Sequence, residues 1–323
     1  MSKQLKVCIL GGTGFIGHHV AADLADLGHR VTILTRRRQR HRDLLVWPTV
    51  TLREGDVYDP NFLARQFRDK DVVINLVGIL NERGHNGKGF GRAHVDLVQS
   101  ISLAIQATGV PRMLHMSALN ASSKAPSHNL RTKALGEDVA HAIPDCDVTS
   151  FRPSAIFGEH DTFTTRFARL LKSVPWVFPL AKPHARMQPI YVDDVSQCFV
   201  RSIGHHASFG KRYDLGGPRV YTLYEIVEFI NEVTGAHRRV LRLKDWQAHL
   251  QALIMEWLPG KPFSLDNLHS LEIDSICATP CPLPFDIDPT PMESVVPVYL
   301  TPGDDTLNRL RYTEPSTPLD DAG

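Results

Sequence analysis

The chain has 323 residues, of which 42% are hydrophobic and 22% charged, enough to bury one large core or two unequal ones. A net charge of +1 gives no global electrostatic reason to bind nucleic acid or an anionic membrane. Five scattered cysteines predict free thiols in a reducing compartment, and the Cys277-x3-Cys281 pair lacks the second ligand pair of a zinc site, so no metal is expected.

Two features of the chain bear on its location. The first predicted strand begins within a few residues of the N-terminus, which leaves no room for a signal peptide. No apolar run approaches the ~20 residues that a membrane span needs. We expect a cytoplasmic protein without a transmembrane segment, with peripheral association at the inner face of the membrane as an alternative.

The stretch from Val7 to Gly17 predicts a strand, a tight turn and a helix, because an apolar run leads through glycines into apolar residues at helical spacing. Glycines here let the backbone approach a pyrophosphate and let the helix pack closely, while the helix N-terminus attracts phosphate. A glycine turn alone also fits an ordinary strand-to-helix connection, but these flanking elements are the ones that nucleotide binding requires. The expected cofactor contacts are Gly11, Thr13, Gly14, Phe15, Ile16 and Gly17.

The second predicted strand ends at Thr35 and runs into a basic segment that starts with Arg36 and Arg37. This strand end faces the adenosine ribose in a dinucleotide-binding fold, where a carboxylate suits a 2′-hydroxyl and an arginine suits a 2′-phosphate. No acidic residue occurs between Thr35 and Asp43, so Arg36 and Arg37 predict NADP(H), with NAD(H) as the alternative. The segment also fits a solvated basic loop or a nucleic-acid patch.

The next three predicted strands have candidate site residues at their carboxyl ends or directly after them. The third ends before Asp56 and Val57, and the fourth ends at Leu76, Val77 and Gly78, which are expected to face the cofactor. A polar, glycine-rich segment, 81–91, then predicts a loop near the ligand mouth, which could serve as a lid. The fifth strand ends at Ser117, and a helix carrying Lys133 follows.

Several motifs in this order resemble one protein family. They are the glycine turn, the strand ending in Ser117, Arg131-Thr-Lys-Ala-Leu-Gly-Glu137, Phe151-Arg-Pro-Ser-Ala-Ile-Phe-Gly158, Gln188-Pro-Ile-Tyr-Val-Asp-Asp-Val195 and Tyr213-Asp-Leu-Gly-Gly-Pro218. From about Lys6 to Glu232 the sequence resembles the extended and atypical branches of the short-chain dehydrogenase/reductase family. Within them it is most similar to the subgroup that contains the nucleotide-binding accessory subunit of respiratory complex I and its bacterial relatives.

The resemblance implies roles for individual residues. Asp56 would bond the adenine amine, although it also fits a strand-end turn. Lys133 would hold the nicotinamide ribose, and Ser117 would orient a substrate carbonyl. The segment that contacts the nicotinamide through its backbone is Pro153, Ser154, Ala155 and Ile156.

The chain departs from the family at its catalytic position. Catalytic members carry a tyrosine four residues before the helix lysine, on the same helix face, and this phenol exchanges a proton with the substrate. Here that position is Asn129, and no tyrosine occurs between Tyr58 and Tyr191. An amide cannot relay a proton, and losing a positioned general acid costs ~10²–10⁴ in rate. Ser117 and Lys133 therefore remain catalytic candidates that could persist only because they bind nucleotide and ribose, and His115 or His128 is the possible substitute donor.

The second half predicts a smaller lobe interleaved with the sheet. We expect a doubly wound parallel α/β sheet of Rossmann type over 1–157, a substrate-side lobe over 158–313 and a disordered tail over 314–323. The stripe Trp246, Leu250, Leu253, Ile254 and Trp257 favours core packing over a partner surface. Nine prolines after Glu272 predict an extended segment that is poor in helix.

These expectations favour one function over two others. The first is an NADP(H)-binding protein that lacks tyrosine-dependent catalysis and acts as an accessory or sensing factor, in the setting of respiratory complexes or quinone metabolism that the resemblance implies. The second is an active NADP-dependent reductase, dehydratase or epimerase with another proton donor. The third is an RNA- or protein-binding regulator with a nucleotide sensor.

Overall fold

Mostly apolar runs, buried along nearly their whole length, form the central strands, which is the pattern of a parallel sheet covered by helices on both faces. The computed structural model describes residues 4–82, 84–258, 261–278 and 281–301. Its strands are β1 (Lys6–Leu10), β2 (Arg30–Thr35), β3 (Val50–Glu54), β4 (Val72–Asn75), β5 (Arg112–Met116), β6 (Asp147–Pro153), β7 (Ile156–Phe157), β8 (Val177–Leu180), β9 (Arg186–Met187), β10 (Ile190–Tyr191), β11 (Arg212–Leu215), β12 (Tyr221–Thr222) and β13 (Arg239–Arg242).

Within the described ranges, seven of these strands form one parallel sheet in the order β11-β6-β5-β4-β1-β2-β3. Val7 of β1 pairs with Val31 of β2 on one side and with Val72 of β4 on the other. The strand order therefore reverses on either side of β1. In open sheets of this kind, the crevice at the carboxyl ends of the strands on either side of the reversal is the usual ligand site.

The helices cover both faces of this sheet and build the second lobe. They are α1 (Phe15–Asp26), α2 (Pro60–Phe67), α3 (Lys88–Gly91), α4 (Leu97–Thr108), α5 (His128–His141), α6 (Thr164–Ser173), α7 (Val192–Ser202), α8 (Leu223–Val233), α9 (Asp245–Glu256), α10 (Leu265–Ser270) and α11 (Met292–Leu300). One core cluster lies between the sheet and α1 and α7, and another lies between the sheet and α2, α4 and α5. No helix in the described parts of the chain is both long and apolar enough to cross a bilayer.

A third core cluster belongs to the second half of the chain and joins α6, α8 and α11. Short strand pairs accompany it, β10 with β7, β12 with β9 and β13 with β8. The same half also returns β11 to the edge of the main sheet beside β6. The predicted Rossmann-type sheet with a smaller, interleaved C-terminal lobe is confirmed.

Two predictions about the C-terminal segment were wrong. The proline-rich segment contains a helix, α11, because Met292, Val296 and Leu300 recur at helical spacing and are buried in the third core, even though Pro297 lies within it. Cys277 and Cys281 are joined by a disulfide rather than free, and their Cα atoms lie 5.8 Å apart, within the range that a disulfide allows. Cys8, Cys146 and Cys198 are free thiols, and the predicted disordered tail, 314–323, lies outside the described residues.

The prediction that the stripe on α9 packs in the core was also wrong. Small residues on the other face of the helix, Ala248 and Ala252, are fully buried, in a cluster with Ala181 and Leu268. The large apolar residues are exposed instead. The exposed set is Trp246, Leu250, Leu253, Ile254, Trp257 and Leu258.

Candidate functional site

The predicted cofactor residues other than Lys133 lie in turns or elements at the carboxyl ends of parallel strands or directly after them. Because neighbouring parallel strands end at the same edge of a sheet, these segments line one crevice. By strand, they are Gly11, Thr13, Gly14, Phe15, Ile16 and Gly17 after β1, Arg36 and Arg37 after β2, Asp56 and Val57 after β3, Leu76, Val77 and Gly78 after β4, Ser117 after β5, and Pro153, Ser154, Ala155 and Ile156 from the end of β6 into β7.

The turn between β1 and α1 has steric room only for glycine at its key positions. Gly11 has a φ of 78°, and a Cβ there would also approach the backbone of Leu76 to 2.9 Å. A Cβ on Gly17 would collide with the Gly11 carbonyl oxygen and the Gly12 Cα. Gly14 is the N-cap of α1 and offers no side chain, so the free N–H groups of the first turn face the crevice without a protein cap. The turn therefore has the close backbone approach and the helix N-terminus that a pyrophosphate site requires.

The strand end predicted to face the adenosine ribose is basic and open. Arg36 and Arg37 are exposed directly after β2, and the Arg37 N–H donates to Thr35 Oγ1 at 3.3 Å. The nearest strand-end acid, Glu54, accepts a hydrogen bond from the Arg38 N–H at 2.7 Å. Asp56 accepts from the Tyr58 N–H at 2.9 Å, which is the turn role that was the alternative for this residue.

Lys133 is placed by α5 so that its ammonium group lies where β4 and β5 end. Its Nζ donates to the Met116 carbonyl at 2.9 Å, and a Cβ at Gly78 would lie 3.1 Å from the same nitrogen. Burial lowers the pKa of Lys133 to about 8, and the neighbouring Glu137 carboxylate offsets part of this effect. The lysine is thus buried, still mostly protonated at neutral pH, and set beside the strand ends.

Two buried polar atoms of the predicted site have no hydrogen-bond partner in the structure. They are the Ser117 hydroxyl oxygen and the Asn129 amide oxygen, and Asn129 lies one helical turn before Lys133 on α5. A buried polar atom without a partner costs about 1–3 kcal/mol, so native proteins normally satisfy it. Both atoms are therefore available as hydrogen-bond partners for a bound molecule.

Neither histidine considered as a substitute donor is placed to replace the phenol. His115 is fully buried and contacts Asn75 at 3.2 Å, and burial lowers its pKa to about 3, with Lys133 adding to the effect. The nearby His94 bonds Thr132 at 2.9 Å, and burial lowers its pKa to about 2. His128 contacts Arg131 at 3.1 Å and lines a cavity beyond the start of α5.

The described residues of the segment 81–91 are held by hydrogen bonds, which differs from a freely moving lid. The Glu82 carboxylate accepts from the N–H groups of Gly87 and Gly89, both at 2.7 Å. The Asn81 side chain donates to the Lys261 carbonyl at 3.1 Å and accepts from the Ser264 hydroxyl at 3.1 Å. This segment, α9 and α10 enclose a cavity of about 400 Å³ beside the start of α5.

Asp266 is a site residue whose role the sequence did not reveal. Its two carboxylate oxygens accept from the N–H groups of His128 (2.6 Å) and Asn129 (3.1 Å), the first two residues of α5. A carboxylate at a helix N-terminus is stabilising because it satisfies free donors and complements the helix dipole. The contact joins positions 137 and 138 residues apart, so no local pattern could have predicted it.

One group among the described residues has the chemistry of a metal site, where the sequence predicted none. His249, His269 and Glu272 each offer a ligand atom, and these atoms lie within 4.8 Å of one another. The His249 Nδ1 contacts the Asp245 carbonyl oxygen at 2.8 Å.

Comparisons with known proteins agree with this architecture. A model of the NAD dependent epimerase/dehydratase family matches residues 7–216. The chain is 32% identical over 312 residues to the Rattus norvegicus NADH dehydrogenase (ubiquinone) 1 alpha subcomplex subunit 9, mitochondrial, covering 88% of this chain and 77% of that protein. It is 33% identical over 247 residues to the ceramide reductase of Caulobacter vibrioides, covering 74% of each chain.

A solved structure shows the same fold. A dTDP-glucose 4,6-dehydratase from Streptomyces venezuelae with NAD bound matches with a TM-score of 0.62 at 20% identity, covering 74% of this chain and 85% of that chain. The family model extends over well more than half of the sequence, from β1 to the end of β11. The chain belongs to the NAD dependent epimerase/dehydratase family, in the atypical short-chain dehydrogenase/reductase subgroup that its motifs resemble.

Proposed function

We propose that this protein binds NADP(H) in the crevice at the strand ends and acts as an accessory or sensing factor without tyrosine-dependent catalysis. The observation that carries the proposal is Asn129, which stands one helical turn before Lys133 with its amide oxygen buried and unpartnered. The cofactor-binding features around it are retained, whereas the group that would exchange a proton with a substrate is not. An amide hydrogen-bonds a ligand but does not titrate at accessible pH.

The residues present fit a dinucleotide. The glycine turn and the first turn of α1 would hold the pyrophosphate, and Lys133 with Ser117 would hold the nicotinamide ribose side. When bound, the cofactor would supply hydride chemistry. The preference for NADP(H) rests on Arg36 and Arg37, which lie exposed where a 2′-phosphate would sit, while Glu54 is engaged by Arg38.

The accessory role is supported by the similarity to the mitochondrial NADH dehydrogenase subunit over most of both chains. We infer an association with a respiratory or quinone-related complex from this similarity. We also infer a cytoplasmic location, at the inner face of the membrane where such a complex would be bound.

An active reductase is the second candidate, since the chain is similar to a ceramide reductase over 74% of each protein. The structural feature in its favour is the cavity of about 400 Å³ next to the start of α5, with Leu253, Trp257 and Phe90 in its lining. Such a cavity would take a largely apolar substrate. His128, the first residue of α5, also lines this cavity.

The test restores the phenol. We would compare the parent with Asn129→Tyr, and with Asn129→Phe as the control of equal bulk without a hydroxyl, by following NADPH oxidation against a panel of carbonyls and quinones. The proposal predicts no turnover by the parent or by Asn129→Phe, and measurable turnover by Asn129→Tyr. Turnover by the parent at a rate typical of its family would overturn the proposal and favour the reductase.

A further inference from the structure

The outer face of α9 has the reverse of the usual polarity of a surface helix. Apart from Asp245 at its start, every exposed residue from the first turn of the helix through Leu258 is large and apolar. Trp246 near one end is 65% exposed, and Trp257 beyond the other end is 84% exposed. Positions 246, 250, 253 and 257 recur at helical spacing and therefore share one face. A contiguous apolar face made of six large, exposed side chains marks an interaction site.

A basic cleft of about 510 Å³ adjoins the N-terminal end of the same helix. Lys182, His184, Arg242 and Lys244 line it, together with one acidic residue, Asp245. Lys182 pairs with Asp245 at 3.0 Å, and the Arg242 guanidinium lies 3.9 Å from the centre of the Tyr224 ring. The cleft therefore keeps a positive excess at the point where the apolar face begins.

We propose that α9 docks the protein on an anionic membrane surface. Its apolar face would lie at the boundary between headgroups and acyl chains, and the basic cleft would bind lipid phosphate. This combination of apolar and basic surface complements an anionic bilayer in both polarity and charge. Tryptophan is the side chain that most favours this boundary, because it has an apolar body and a polar N–H, and here one stands near each end of the face.

Docking in this orientation has a consequence for the cavity beside α5. Leu253 and Glu256 at the end of α9 and Trp257 directly after it also line that cavity. The membrane-facing surface and the cavity thus share a wall. The inference does not depend on nucleotide binding, so vesicle binding and cofactor binding can fail separately.

The test is flotation of the full chain with two kinds of vesicle, one of phosphatidylcholine alone and one with about 30% phosphatidylglycerol. We expect binding that is stronger to the anionic vesicles. The double variant Trp246→Ala/Trp257→Ala should weaken it more than about tenfold, the scale expected for losing buried apolar area. Arg242→Gln/Lys244→Gln should weaken binding to anionic vesicles about fivefold per charge and leave binding to neutral vesicles unchanged.

A matched control separates docking from general surface hydrophobicity. Leu253→Glu on α9 should abolish binding, whereas Leu103→Glu, which changes a 57% exposed leucine on α4, should not. Brominated lipid should quench the fluorescence of Trp246 and Trp257 in single-tryptophan variants, and should leave Trp47 bright. Binding that is unaffected by the α9 variants would overturn the proposal. So would an absence of vesicle binding, with or without self-association of the chain through this face.

Discussion

The two ends of the candidate site differ in how tightly the surrounding structure restricts the residue type. At the β1–α1 turn, the backbone leaves no space for a side chain at Gly17, and Gly11 has a left-handed φ. At the start of α5, Asn129 stands where catalytic members of the family carry a tyrosine. Lys133, one turn later, is present and contacts the Met116 carbonyl. The difference allows cofactor binding and proton transfer to be tested separately in this chain. Cofactor binding is expected to depend on the glycine turn, whereas the phenol that would transfer the proton is replaced by Asn129.

The largest effect is expected from adding one carbon atom to the β1–α1 turn. We expect Gly17→Ala to destabilise the protein by about 3 kcal/mol or more and to abolish dinucleotide binding, because the new Cβ meets backbone atoms that cannot rotate away. Thermal or urea unfolding and a nucleotide titration measure both effects. The control is Gly91→Ala, which has open space around it, and it should be neutral or slightly stabilising. Equal behaviour of the two variants would contradict the steric argument.

The next largest effect concerns the choice of cofactor. Arg36→Ala/Arg37→Ala should lower NADPH affinity by roughly ten- to several-hundred-fold, because a charge-assisted bond contributes about 1.5–3 kcal/mol. NADH affinity should change little, since that cofactor has no 2′-phosphate. Calorimetric titration with both nucleotides measures the ratio, and Arg40→Ala serves as the control within the same basic segment. Unchanged NADPH affinity in the double variant would remove the 2′-phosphate assignment.

A smaller effect is expected where the C-terminal lobe holds α5. Asp266→Ala should destabilise the protein by about 1–2 kcal/mol, because it removes a carboxylate that caps two N–H groups at the start of the helix. Asp266→Asn keeps one acceptor oxygen and should recover part of this loss. Chemical denaturation of the three proteins provides the measurement. Equal stability of all three would show that the contact does not hold α5 in place.

The smallest effect is a dependence of stability on pH. The folded pKa of His94 is lowered to about 2, below the ordinary value near 6.5 that holds in the unfolded chain. The unfolded state therefore binds more protons between these values, and stability rises with pH across this window and falls on acidification. Between pH 5 and 6, the slope of unfolding free energy should be shallower in His94→Gln than in the parent by about 1 kcal/mol per pH unit. Parallel slopes would mean that His94 is not held neutral.

Local sequence patterns predicted those parts of the fold that depend on local structure. The glycine turn, the parallel strands and the positions of Ser117 and Lys133 follow from motifs that lie within one strand–turn–helix unit or one helix. The role of Asp266 could not be predicted in this way, because it depends on contacts with backbone N–H groups 137 and 138 residues away along the chain.

The stripe on α9 shows a second limit. Its periodicity correctly indicated a helix with an apolar face, but periodicity does not say whether that face points inward. The small residues Ala248 and Ala252 allow the opposite face to pack against the lobe instead. The assignment of individual cofactor contacts at Arg36, Arg37 and Asp56 stays a prediction.

Native mass spectrometry of the purified protein is the most direct test of whether it holds a dinucleotide without turning it over. We expect NADP(H) to accompany the protein, and its absorbance at 340 nm not to change when carbonyls and quinones are offered. A protein that is purified empty, binds the nucleotide weakly and oxidises NADPH when a carbonyl or quinone is added would instead be a cycling reductase, which would contradict this expectation.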